Sequence, residues 1–217
     1  MGRAVLFLNG EMNDYEWHRR QLCPEDDWIA VDGGGRHCLA MGLVPHLAVG
    51  DFDSMSREVA RFYRENDVPM VSFPADKDYT DFVLAIEASL ERGATEILVF
   101  GGLGGPRLDM ELGNIFALIP FCGRAEIALV SEISRVRIVR AGDRITIKGN
   151  EGEYLSLLAL TNPFVTAPSR NLKYQLEELS FTVGETRGIS NEICRGEAEV
   201  TVKEGMAILI CQKKVGV

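Results

Sequence analysis

The chain has 217 residues, 46% of them hydrophobic and 25% charged, with a formal net charge of −9. That is globular composition with room for one large domain or two small ones. The acidic balance excludes a general basic surface for nucleic acid or anionic membrane, but a nucleotide can still bind where a metal ion and a few local cations neutralise its phosphates.

The N-terminal stretch MGRAVLFLNGEM holds only five apolar residues in a row, Ala4 to Leu8, too few for a signal-peptide core or a membrane span, and leucine at position 6 breaks the myristoylation pattern. Ala4–Asn9, Trp28–Asp32, PHLAVG, PMVSF and Glu96–Phe100 are short apolar runs that fit buried parallel strands. Helical spacing follows in between. Val59, Phe62 and Tyr63 recur after Ser54, a candidate N-cap; Val83, Ile86 and Leu90 recur after Thr80; Leu108, Leu112, Ile115 and Leu118 recur after a glycine loop at 101–105. Strands alternating with helices predict an α/β domain whose mainly parallel sheet is covered on both faces.

From about Ala141 the pattern changes to strand-like segments with glycine turns, and TVKEGMAIL reads as a hairpin around Glu204-Gly205. The expected organisation is an α/β domain over 1–140 and an all-β domain over 141–217. The five cysteines (Cys23, Cys38, Cys122, Cys194, Cys211) are scattered and form no C-x-x-C pair. They predict reduced thiols in a cytoplasmic protein, with neither a disulfide framework nor a zinc site.

Four segments carry chemistry, and each follows a predicted strand, where open parallel sheets bind ligands. In VDGGGRHC, three glycines after a strand let the backbone approach a ligand, and Asp32 at their head suits a hydroxyl or a metal-bound water. In VGDFDSM, Asp51 and Asp53 would share one face of an extended chain, with Phe52 on the other, so that two carboxylates aim at one point. In DKDYTD, Asp78 and Thr80 suit helix capping, Asp81 stands in the first turn, and Lys77 offers a point charge for phosphate. In GGLGGPRLDMELGNI, Arg107 suits bidentate phosphate contact and Asp109 could orient it; the loop lacks the G-K-[ST] ending of a P-loop.

Taken singly, each segment also fits a plain turn, a helix cap or a surface ion pair. Together, four acids beside one lysine and one arginine fit a single site for a divalent cation and a polyphosphate. Asp-x-Asp also holds the metal of nucleotide-sugar glycosyltransferases, and a nucleotide-sensing module without turnover would use similar contacts; the glycosyltransferase reading requires neither KDYTD nor the β domain.

GDFDS, then KDYTD, then a GG-x-GG…R-x-D loop ending in NI, then ISN in a β-rich tail, closely resembles the thiamine pyrophosphokinase family. The resemblance covers nearly the whole chain, in order. It implies an N-terminal α/β domain that binds ATP and Mg²⁺, a C-terminal β-sandwich that binds thiamine and dimerises, and a homodimer with its active site at the subunit interface. The implied reaction moves the pyrophosphoryl group of ATP to the hydroxyl of thiamine and releases AMP. Carried over by position, Asp51, Asp53 and Asp81 become the Mg²⁺ ligands and, with Lys77, the catalytic set. Lys77, Asp78, Thr80, Arg107 and Asp109 border the ATP, with Asp32 nearby, and Ser190 and Asn191 border thiamine. The family usually reads GGR-x-DH; here Pro106 separates Gly105 from Arg107, and Met110 replaces the histidine. Cys194 stands where the resemblance implies an aromatic stacked on the pyrimidine.

Overall fold

The computed structural model of the chain describes residues 2–53, 55–72 and 79–214. Two compact units meet in sequence between Glu132 and Ile133. The strand Ser134–Arg140 therefore belongs to the second unit, although the change of texture in the sequence comes just after it.

The first unit runs β1 (Arg3–Phe7), α1 (Tyr15–Arg19), β2 (Asp27–Val31), α2 (Gly35–Met41), β3 (Leu47–Gly50), α3 (Arg57–Glu65), β4 (Met70–Ser72), α4 (Asp81–Glu91), β5 (Glu96–Phe100), α5 (Leu108–Ala117) and β6 (Glu126–Val130). Its six strands are parallel, in the order β4-β3-β2-β1-β5-β6, and Val5 of β1 lies opposite both Trp28 and Leu98. Strands buried on both faces need apolar side chains throughout, which is why they read as continuous runs rather than alternations. The order steps outward from β1 in one direction to β4 and in the other through β5. The reversal between β1 and β5 leaves a crevice beyond the strands' carboxyl ends.

Phe7, Ala30, Ala48 and Phe100 pack with Cys38 and Met41 of α2 and Val59 and Tyr63 of α3. Each large side chain so buried contributes about 1.5–3 kcal/mol. The cap of α3 is Ser56, whose hydroxyl accepts the Val59 N–H at 3.2 Å, and not Ser54, which lies outside the described residues. Thr80 caps α4 as expected, accepting the Val83 N–H at 3.4 Å. The stripe expected after the glycine loop is buried only at its end: Leu118, just past the helix, is 2% exposed, whereas no residue of α5 itself is buried and Leu108, Leu112 and Phe116 are 66%, 45% and 50% exposed.

The second unit holds β7 (Ser134–Arg140), β8 (Arg144–Lys148), β9 (Tyr154–Ala159), β10 (Phe164–Thr166), β11 (Ser180–Phe181), β12 (Asn191–Glu192), β13 (Glu197–Glu204) and β14 (Met206–Gln212). Two antiparallel sheets, β12-β9-β14-β7 and β11-β10-β13-β8, enclose a core that includes Leu155, Leu157 and Leu209 from one sheet and Phe164, Val200 and Val202 from the other. This is the expected sandwich, with one correction. β13 and β14 do not form a hairpin; Gly205 (φ +78°) turns the chain from one sheet into the other. A side chain there would meet the Pro163 carbonyl oxygen at 2.4 Å. Among the described residues, no helix is long and apolar enough to cross a membrane.

Candidate active site

The site is built where strands end. β2 stops at Val31, and Asp32 takes a left-handed conformation (φ +46°) to open a 3-10 turn leading into α2. Gly34 in that turn lies against the end of β1, so close that a Cβ would meet the Phe7 carbonyl oxygen at 1.8 Å. β3 stops at Gly50, and Phe52 is also left-handed (φ +60°). Asp51 and Asp53 therefore converge through a turn rather than through the alternation of an extended strand, and the Asp53 N–H donates to Asp51 Oδ1 at 3.1 Å. The two turns adjoin because β2 and β3 pair in parallel with Val31 opposite Val49.

One carboxylate oxygen from each of Asp32, Asp51 and Asp53 lies within 4.8 Å of the others. Asp32 Oδ1 is buried and has no hydrogen-bond partner. Burial raises the Asp32 pKa, the Gly33 N–H partly offsets this, and the charges of Asp51, Asp81 and Asp53 push it up further. A buried carboxylate oxygen without a donor costs free energy unless a cation compensates it. Three hard oxygens at this spacing, one of them unpartnered, fit Mg²⁺ or a similar divalent ion. Asp81, expected among the ligands, falls outside this trio; it heads α4, and its charge acts on Asp32 from there.

Asp32, Asp51 and Asp81 line a cavity of about 640 Å³, a size suited to a small ligand. Asn9 and Gly10 after β1, Thr80 at the start of α4, and the 101–107 loop after β5 complete much of the rest. Arg107 lines the cavity, held by a two-pronged ion pair to Asp109 at 2.8 and 2.6 Å. The guanidinium pulls the Asp109 carboxyl down to about 2. Met110, where the family pattern has histidine, also lines the cavity. Lys77 and Asp78 lie outside the described residues. In the second unit, Ser190 is left-handed (φ +62°) and exposed, whereas Asn191 is buried at the start of β12.

Two asparagines were missed in the sequence. Asn9 closes β1 as Asp32 closes β2, and Asn114 of α5 donates to the Gly102 carbonyl at 3.1 Å, bracing the glycine loop. A polar residue at a strand's carboxyl end was the available signal for Asn9; Asn114 is the asparagine of the NI that ends the glycine-loop motif, and no role was attached to it there. His37 braces the other wall: Nε2 meets the Gly10 carbonyl at 2.8 Å and Nδ1 meets the Tyr15 hydroxyl at 2.9 Å. Because a carbonyl only accepts, Nε2 carries the proton in the neutral ring. Burial pushes His37 down to about 4 from 6.5. Between those values the unfolded chain binds the extra proton, so stability falls as pH drops from 6.5 towards 4, by up to about 3 kcal/mol. Denaturant unfolding at several pH values should show this slope, and His37→Gln, which keeps a donor for Gly10 but does not titrate, should flatten it.

A family model described as the catalytic domain of thiamin pyrophosphokinase matches residues 20–130, and one described as its vitamin B1 binding domain matches 143–207. Thiamine pyrophosphokinase of Bacillus subtilis (strain 168) is 30% identical over 184 residues, 84% of this chain and 86% of that protein. Thiamine pyrophosphokinase 1 of Oryza sativa subsp. japonica is 27% identical over 224 residues, 91% of this chain and 83% of that one. Among solved structures, the Bacillus subtilis thiamine pyrophosphokinase superposes with a TM-score of 0.86 at 25% identity, covering 99% of this chain and 100% of the other. The Geobacillus thermodenitrificans protein gives 0.85 at 26%, covering 100% and 99%. With both domain models met in order along one polypeptide, and likeness to the Bacillus protein running through sequence and structure alike, this chain belongs to the thiamine pyrophosphokinase family.

Proposed function

We infer that the protein transfers the pyrophosphoryl group of ATP to the hydroxyl of thiamine, giving thiamine diphosphate and AMP. The observation that carries the chemistry is the convergence of Asp32, Asp51 and Asp53 beyond the strand ends, with Asp32 and Asp51 lining the cavity there. The thiamine hydroxyl oxygen attacks the β-phosphorus of ATP in line. The bond from that phosphorus to the oxygen bridging it to the α-phosphate breaks, and AMP leaves with that oxygen. Little covalent work falls to the protein in such a transfer; positioning and charge neutralisation supply the acceleration.

In this reading Asp51 and Asp53 hold Mg²⁺, with Asp32 as the third carboxylate of the trio and Asp81 beside them. The ion, when bound, neutralises phosphate charge and polarises the transferring group. Arg107, oriented by Asp109, and Lys77 meet the phosphates, while Thr80 and Asp78 border the nucleotide. The first unit is the ATP and metal domain, and the second carries the thiamine site near Ser190.

The protein acts as a homodimer whose subunits share the active site. Support comes from α5, whose exposed Leu108, Leu112 and Phe116 form an apolar stripe on the helix that lines the cavity; such faces mark association surfaces. A cytoplasmic location is part of the same reading and agrees with five free cysteines. The direct test is AMP release from ATP and Mg²⁺ with and without thiamine. Release that requires thiamine is expected; thiamine-independent release, or none, would reject the assignment.

A further inference from the structure

Core packing does not account for the hydroxyl of Tyr63. This residue of α3 is 2% exposed, and its ring belongs to the core cluster that includes Cys38, Met41 and Val59. A phenylalanine would fill the same space. The hydroxyl oxygen is nevertheless buried with no hydrogen-bond partner, and a buried polar group in that condition costs free energy. Among the described residues of the first unit, two side-chain oxygens share this condition, Tyr63 Oη and Asp32 Oδ1. Their chemistry is complementary, since a phenol can donate and a carboxylate can accept.

The fold brings the hydroxyl to the turn that carries Asp32. A Cβ on Gly35 would lie 2.0 Å from Tyr63 Oη, so the glycine leaves the hydroxyl its place. Gly35 also closes the turn that Asp32 opens, because its N–H donates to the Asp32 carbonyl. β3 confines Asp32 as well: a Cβ on Gly50 would lie 3.0 Å from Asp32 Cα and 3.2 Å from Asp32 Cβ. Burial raises the Tyr63 pKa, and charge on Cys38 and on Asp32 raises it further. The hydroxyl therefore keeps its proton, within electrostatic reach of the Asp32 carboxylate.

Resting on the Mg²⁺ reading above, we propose that Tyr63 is a positioning residue for the cation site: its hydroxyl donates to the Asp32 carboxylate, directly or through one water, and keeps it turned towards Asp51 and Asp53. Each carboxylate oxygen has two lone pairs, so it can take this donor and a cation together. Carboxylates that bind metals are generally held by outer hydrogen bonds of this kind. Tyr63 touches neither ion nor substrate; it acts through Asp32.

The test compares Tyr63→Phe with its parent in three measurements: titration of Mn²⁺ alone, followed by the relaxation of water protons; AMP release as Mg²⁺ is varied at saturating ATP and thiamine; and denaturant unfolding in EDTA. Tyr63→Phe should unfold at a parental or higher midpoint, because it sheds an unpartnered hydroxyl. It should bind Mn²⁺ about tenfold more weakly and need about tenfold more Mg²⁺ for half-maximal AMP release, the usual effect of losing an outer hydrogen bond to a metal ligand. The KM for thiamine should not move. Asp32→Gly suits the left-handed backbone and removes the carboxylate; adding Tyr63→Phe to it should weaken Mn²⁺ binding no further. A parental Mn²⁺ affinity in Tyr63→Phe would overturn the inference whatever its unfolding midpoint. So would additive losses in the double variant, because Tyr63 would then act by a route other than Asp32. If the parent binds no Mn²⁺, the metal reading fails and takes the inference with it. A parent that binds Mn²⁺ but releases no AMP rejects the reaction alone, and the Mn²⁺ titration still decides the role of Tyr63.

Discussion

An Asp51→Asn variant should lose about 10³-fold in AMP release while melting no lower than its parent in the absence of divalent ions. The substitution is nearly isosteric, and the amide oxygen can still accept the Asp53 N–H that Asp51 Oδ1 accepts at 3.1 Å, so the turn keeps its bond. What disappears is one of three negative charges whose oxygens lie within 4.8 Å of one another. Like charges at about that distance repel by roughly 1–4 kcal/mol, depending on how much water screens them. Removing that charge relieves the empty protein and leaves the loaded one short of a ligand. The two effects pull apart in a thermal melt: Mg²⁺ with ATP should raise the parent's midpoint through linkage and leave that of the variant nearly unmoved. A loss of 10³ in turnover corresponds to about 4 kcal/mol of transition-state stabilisation, a fitting size for removing preorganised charge from a phosphoryl-transfer site. Full activity in Asp51→Asn, or an equal Mg²⁺-induced shift in both proteins, would remove the metal from Asp51.

The architecture was legible because its signals are local. Continuous apolar runs separate parallel strands from the alternating strands of the sandwich, and a threonine hydroxyl at the start of α4 marks its own helix. What stayed hidden depends on partners distant in sequence. The apolar residues of α5 have helical spacing, and spacing cannot say whether a neighbour covers them. The Glu204-Gly205 turn has hairpin chemistry, but Val202 and Met206 join different sheets, because β8 and β10 claim one strand and β7 and β9 the other.

The site divides in the same way. Asp51 and Asp53 are visible as a pair because they are two residues apart, although the left-handed Phe52 brings them together by a route that strand alternation does not describe. Asp32 joins them only because β2 and β3 lie side by side in parallel with Val31 opposite Val49, so that each carboxylate follows its strand by one to three residues. That register is a property of the sheet, and no spacing within either segment encodes it. Ser190 and Asn191 show the reverse case: adjacent in sequence and taken together as ligands, they part in the structure, one exposed and one buried as a clamp on Tyr174.

Gly34→Ala should lower stability by more than about 3 kcal/mol, a large part of the usual total of about 5–15 kcal/mol. The reason is space and not backbone conformation, since Gly34 has an ordinary φ of −63°. An added Cβ would lie 1.8 Å from the Phe7 carbonyl oxygen and 2.5 Å from its carbon. Those atoms belong to the central strand, which hydrogen-bonds on both sides and has no flexible end to move aside. Any relief must come from the Asp32–Gly34 turn, and moving that turn displaces the Asp32 carboxylate from its trio, so the fraction that still folds should also release AMP slowly. Gly113→Ala is the matched control. It lies mid-helix in α5 with nothing within 4 Å of the new Cβ, and should stabilise by about 0.5–1 kcal/mol through helix propensity alone. Denaturant unfolding of the two variants separates the causes. A parental midpoint and parental turnover in Gly34→Ala would show that the turn does not need its close approach to β1, and that Asp32 is held in place by something else.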